Sequence, residues 1–106
     1  MTLNEITEKF LQSGYDIDGK MYYSFQQIGN YLFPDKIEID AENKVRYIYR
    51  YRKADLEKYA VKTKSKLFKQ TIVVLDLEGV KALCGFVKKS ESSERLGNLL
   101  FRYNFS

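Results

Sequence analysis

The sequence predicts a single α+β domain over residues 1–106, in which two β-hairpins and a further strand pack against four to five short helices. Three observations predict it. Apolar residues recur at helical spacing near both ends of the chain, alternating or β-branched runs lie between them, and turn residues divide the two kinds of segment with no internal repeat. A chain of 106 residues, 44% hydrophobic and 15% aromatic, fills one core and is too short for two ordinary domains.

Leu3, Ile6, Phe10 and Leu11 form the stripe of an amphipathic helix that stops near Ser13-Gly14. Tyr15 to Ser24 reads as two short strands around Asp18-Gly19, a pair that readily takes the positive φ angles of a tight hairpin turn. Ser24-Phe25-Gln26-Gln27 has the form of a capping box, and Phe25, Ile28 and Leu32 continue it as a second helix ended by Pro34. Ile37 to Ile39 and Val45 to Arg52 flank the polar segment Asp40 to Lys44 and are read as a second hairpin. That strand would set Val45, Tyr47, Tyr49 and Tyr51 on one face, with Arg46, Arg50 and Arg52 beside Ile48 on the other.

Ala54 to Val61 suits a helix with Leu56, Tyr59 and Ala60 inward, followed by a polar basic connection from Lys62 to Lys66. Thr71 to Leu75 is the strongest strand, because Ile72, Val73 and Val74 are all β-branched. Asp76 is placed to cap the next helix, which carries Val80, Leu83, Cys84 and Val87; a last helix after Ser90 carries Leu96, Leu99, Leu100 and Tyr103.

Charge is spread unevenly. The net value is only +4, but from Met1 to Asn43 three lysines face eight acids, a balance of −5. From Lys44 to Lys69 ten basic residues face Asp55 and Glu57, a balance of +8, and the remainder carries +1. No run approaches the roughly 18 apolar residues that span a bilayer, and the first residues lack the basic-then-apolar order of a signal peptide. A soluble cytoplasmic protein with no membrane partner is therefore expected, and the single Cys84, set among Leu83, Phe86 and Val87, reads as a buried thiol.

Zero histidines remove the commonest general base and metal ligand. Gly14 to Lys20 matches the first part of a phosphate-binding loop, but Met21 stands where Ser or Thr is needed, and Asp16 and Asp18 would repel phosphate. The carboxylate pairs Asp16/Asp18 and Asp76/Glu78 are accounted for by turn and capping roles. Neither a catalytic constellation nor a cofactor is predicted, which leaves an enzyme using carboxylates as the weakest of three readings.

Arg46-Tyr47-Ile48-Tyr49-Arg50-Tyr51-Arg52-Lys53 carries the functional signal. Arginine binds phosphate bidentately, lysine adds mobile charge, and exposed tyrosine stacks on unpaired bases. Lys58, Lys62, Lys64, Lys66 and Lys69 extend the same charge. The plain alternative is that the tyrosines pack inward while the cations merely solvate a surface strand.

Two stretches resemble the Bro amino-terminal domains of phage antirepressors. The first is Ile17-Asp18-Gly19-Lys20-Met21-Tyr22-Tyr23-Ser24-Phe25-Gln26-Gln27-Ile28-Gly29-Asn30-Tyr31-Leu32. The second is Val74-Leu75-Asp76-Leu77-Glu78-Gly79-Val80-Lys81-Ala82-Leu83 with Lys88-Lys89-Ser90-Glu91 after it. Asn30-Tyr31-Leu32 departs from that family's "LGY", and its late tryptophan has no counterpart. Tyr51-Arg52-Lys53-Ala54-Asp55-Leu56-Glu57-Lys58-Tyr59 is similar to the end of the winged helices of phage excisionases, although the interval from Ile28 to Leu56 reads as too short for that family's recognition helix.

Both resemblances imply small regulators of mobile elements. The expectation is thus a phage-type regulatory protein that binds DNA through Arg46 to Lys69, by occupancy and without turnover. The alternative is an inhibitor or antirepressor that sets the same Tyr and Arg residues against an acidic host or phage protein, and self-association is compatible with either.

Overall fold

A computed structural model describes residues 2–66, 68–88 and 94–101, and at its amino end the chain follows its local chemistry. Helix α1 (Leu3–Gln12) opens on a capping box in which the Thr2 hydroxyl accepts from the Glu5 amide. Strands β1 (Tyr15–Ile17) and β2 (Lys20–Ser24) pair antiparallel around Asp18 and Gly19, whose φ angles of 54° and 83° make the expected tight turn. Gly14 to Lys20 is therefore hairpin, not a phosphate loop. Helix α2 (Phe25–Leu32) begins at the second capping box, with Ser24 and Gln27 bonding each other's amides.

The middle of the chain differs from the sequence reading. Residues 38–51 form no hairpin; they are one helix, α3 (Glu38–Tyr51). Ala41, Val45, Ile48 and Tyr49 fall at i, i+4, i+7 and i+8, and this helical stripe prevails over the Val45/Tyr47/Tyr49/Tyr51 alternation. Glu38 and Asp40 in the first turn and Arg50 in the last suit the helix dipole. The interval between Ile28 and Leu56 thus does hold a long helix. The helix expected over Ala54 to Val61 shortens to α4 (Lys53–Leu56) and a 3₁₀ turn, Glu57–Tyr59.

The basic connection expected from Lys62 to Lys66 is largely strand. Strand β3 (Ala60–Lys64) pairs antiparallel with β4 (Thr71–Asp76), so a second hairpin exists, but it begins at Ala60 instead of Ile37 and its second strand is the one predicted over Thr71 to Leu75. The sheet order is β1-β2-β4-β3 and every pairing is antiparallel. With β2 on one side and β3 on the other, β4 has no free edge, and Val74 and Leu75 are buried. Asp76 caps α5 (Leu77–Cys84) by accepting from the Gly79 amide at 2.7 Å, and its other oxygen meets Lys20 Nζ at 2.9 Å. Residues 94–101 form the last helix, α6, with Leu96 and Leu99 buried; Tyr103 and residues 89–91 lie outside the described residues. The α+β class stands.

The core joins α1, α2, the sheet and α5. Phe10 stacks between Tyr23 and Tyr31 at 4.8 and 4.5 Å. The Tyr31 hydroxyl bonds Thr7 Oγ1 and donates to the Arg95 carbonyl, tying α6 to α1 and α2. Among the described residues no helix is long and apolar enough to cross a membrane.

Helix α3 is seated on α2 through a close backbone approach. A Cβ placed on Gly29 would lie 2.6 Å from the carbonyl carbon and oxygen of Ala41. Glu38 Oε1 completes the seat by accepting from Gln26 Nε2 at 2.7 Å and from Asn30 Nδ2 at 3.3 Å. Gly29→Ala should therefore cost about 1–3 kcal/mol in a urea titration, although alanine is the better helix former, because the overlap is with backbone that must move. Unchanged or increased stability would contradict this close approach.

Candidate functional site

The helical form of residues 38–51 rearranges the predicted faces. Arg46 and Arg50 make one i,i+4 row on α3, and Tyr47 and Tyr51 make the next, so arginines and tyrosines are neighbours on one surface rather than on opposite sides of a strand. Tyr47 and Tyr51 are 63% and 82% exposed and lie nearly parallel, with centroids 6.4 Å apart at 22°. Tyr49 turns inward, its ring 5.2 Å from that of Phe25, and desolvation raises its hydroxyl pKa. Two of the three tyrosines are thus available to a partner and one belongs to the core edge.

The arginines differ in their commitments. Arg46 pairs with Glu42 one turn back and donates to Asn43 Oδ1 at 2.6 Å. Arg50 is exposed. Arg52, at the end of α3, holds its guanidinium 4.7 Å from the ring of Phe86. Lys53 is exposed on α4, and the Lys58 ammonium sits 5.2 Å from the Tyr59 ring.

The β3–β4 hairpin brings further cations toward α3. Lys62 and Lys64 are cross-strand partners of Val73 and Thr71, and Lys64 Nζ donates to Thr71 Oγ1 at 3.1 Å. Val73 and Thr71 line one wall of a groove whose other wall includes Glu42 and Arg46, with Phe25 and Gln26 between. Arg46 and Lys64, eighteen positions apart, therefore flank a single groove. Lys66 is committed elsewhere: its ammonium lies 4.6 Å from the Tyr15 ring and donates to the Gly14 carbonyl at 3.0 Å, clamping the hairpin to β1. Lys69 is exposed at φ 57°, beside the exposed Phe68, in a loop closed by Ser65, whose hydroxyl accepts from the Phe68 and Gln70 amides.

A second groove runs along the opposite flank of α3 and had no counterpart in the sequence reading. Tyr47, Ile48 and Phe86 line its whole length; Lys36, Lys44 and Lys88 border one end, and Tyr51 and Arg52 the other. Its available signal was Phe86 just after the helix-ending Gly85 and just before Lys88-Lys89, an aromatic in a basic setting. Charge also divides along α3: Glu38, Asp40 and Glu42 occupy its first half, and the cations from Lys44 onward its second.

Of the groups weighed above for chemistry, Asp16, Asp76 and Cys84 have structural places. Asp16 Oδ1 accepts from the Gly19 amide in the hairpin turn, and Asp76 caps α5. Among the described residues no three His, Cys, Asp or Glu side chains gather as a metal site. Cys84 is buried, and burial pushes its thiol from 9.0 up to about 12. No protein-family model, curated protein or solved structure matches this chain.

Burial of the Cys84 thiol makes stability depend on pH at the alkaline end. The native state keeps a proton that the unfolded chain releases above pH 9, so this stabilisation is complete below that pH and is lost as pH rises toward about 12. At about pH 8, labelling by a thiol reagent should be on the order of 1,000-fold slower in the folded protein than in denaturant, as thiolate fraction dictates. Comparable rates in the two states would contradict the burial.

Proposed function

We propose that this chain is a small nucleic-acid-binding regulatory protein of phage or mobile-element type, acting by occupancy and without turnover. The observation that carries the reading is the i,i+4 row of Arg46 and the exposed Arg50 on α3, with Lys64 held to Thr71 on the groove that Arg46 lines, beside the outward-facing Tyr47 and Tyr51. Cations carried by α3 and by β3 suit a phosphate backbone, which supplies most of the affinity of such complexes. The acidic first half of α3 sets the direction of approach, since phosphates are favoured toward its basic second half and repelled from Glu38 and Asp40.

The resemblance to Bro amino-terminal domains lends support of a different kind. Its two stretches fold mainly as β2 with α2 and as β4 with α5, and β2 pairs directly with β4. The second reading, an inhibitor or antirepressor on an acidic protein, is favoured by one observation: Ile37 and Ile39 stand 66% and 56% exposed near the aromatic groove, as at protein interfaces.

Arg46→Glu, Arg50→Glu and Arg52→Glu together should weaken oligonucleotide binding at least about 10-fold in an anisotropy titration. Each phosphate deprived of its cation should also reduce the slope of log affinity against log salt by roughly 0.7 to 0.9. Binding that survives the triple reversal, or that is absent at about 50 mM salt, would overturn the reading. Recovery of a stable acidic partner from nuclease-treated lysate would favour the second.

A further inference from the structure

We infer that the groove between α3 and the turn after α5 receives an unpaired base, so that the strand bound is single-stranded at that point; this rests on the nucleic-acid reading and specifies its ligand. The groove has an apolar floor in Ile48 and Val87, the latter only 8% exposed. Its walls are rings. Tyr47 stands on the α3 side at 63% exposure and Phe86 on the other at 38%. At the rim Lys36, Lys44, Lys88 and Arg52 outnumber one acid, Asp40.

A ligand that matches this lining is flat and apolar on its faces and anionic at its edge. A nucleotide has that form: the base stacks on the rings and the flanking phosphates meet the cations. A paired base within a duplex has both faces covered by its neighbours, so it offers phosphates and edges but no free face for Tyr47 or Phe86. An acidic peptide would satisfy the cations and leave the rings unused. Arg52 already lies over the Phe86 ring at 4.7 Å, where its planar guanidinium extends the stacking surface and carries charge to the same edge. The Lys44 ammonium, 5.5 Å from the Phe33 ring, stands at the other end, so cations bracket the rings along the groove.

The division of labour with the other flank of α3 follows. Arg46, Lys62 and Lys64 meet phosphate in any strand and carry no preference for base or pairing. Tyr47 and Phe86 add affinity only where a base is free to leave its stack.

The test compares three labelled probes by anisotropy with the full chain: a single-stranded oligonucleotide of about ten nucleotides, an abasic strand of the same phosphate number, and a blunt duplex. The single strand should bind about 10-fold or more tightly than the abasic strand, and Tyr47→Ala or Phe86→Ala should weaken it by about 5- to 100-fold without changing abasic binding. Tyr47→Phe should retain full affinity, because stacking uses the ring and not the hydroxyl. Both positions are solvent-facing, and a circular dichroism melt confirms that each variant folds. Equal affinity for the normal and abasic strands, or duplex binding that exceeds single-strand binding and ignores Tyr47→Ala, would overturn the inference while leaving the nucleic-acid reading intact. Failure to bind any of the three probes would overturn both, and tight binding of poly-glutamate in their place would assign the groove to an acidic protein.

Discussion

Backbone atoms of Ala41 stand 2.6 Å from the place a side-chain carbon on Gly29 would occupy, so α2 and α3 meet as they do because residue 29 carries no side chain. Among the described residues of α3 only Ala41 and Val45 are buried, the fourth and eighth of its 14 residues. The helix is therefore anchored from Ala41 to Val45. Its carboxyl half packs less deeply, with Ile48 partly buried and Tyr49 leaning on Phe25, and the two grooves run along its flanks. A larger residue at position 29 would displace the crest bearing Arg46, Tyr47, Arg50 and Tyr51 together.

The charge pattern gains its meaning from that seating. On a strand the arginines and tyrosines would have faced opposite ways, one set to solvent and one to the core. On a helix, Arg46 and Arg50 adjoin Tyr47 and Tyr51, and only Tyr49 is withdrawn. The hairpin that follows carries Lys64 beside Thr71 on the groove that Arg46 lines, while Lys66 is drawn off to fasten that hairpin to Tyr15. The groove that Arg46 lines and the groove walled by Tyr47 and Phe86 thus fall on opposite flanks of one helix, with Glu38, Asp40 and Glu42 in its first half and the cations in its second.

Where a local signal was also the one the fold uses, the sequence was a sufficient guide. The capping box at Ser24, the Asp18-Gly19 turn, the Asp76 cap and the buried Cys84 are decided by neighbours within a few residues, and the structure has them as expected. Residues 37–51 were misread because Tyr, Ile and Val favour strands, and the alternation from Val45 to Tyr51 is a regular strand pattern. What decides for the helix is Ala41, small enough to pass for part of a turn, and its partner Gly29, twelve positions away. Strand β3 was missed for the converse reason: its lysines look like a loop, and the ladder with β4 that makes it a strand is invisible locally. The basic residues of the candidate surface were legible as a composition. Their arrangement was not, and neither was Phe86, which the turn after α5 sets across a groove from Tyr47.

The claim that the carboxyl half of α3 is the binding surface is tested most directly by mapping amide chemical shifts of the isotope-labelled protein during titration with an oligonucleotide. The account predicts that perturbations gather at 44–53 of α3 and α4, at 62–71 of the hairpin and at 85–88 after α5, with 3–12 of α1 and the β1–β2 turn unmoved. Perturbations centred on α1 and the β1–β2 turn, with residues 44–53 unmoved, would contradict it.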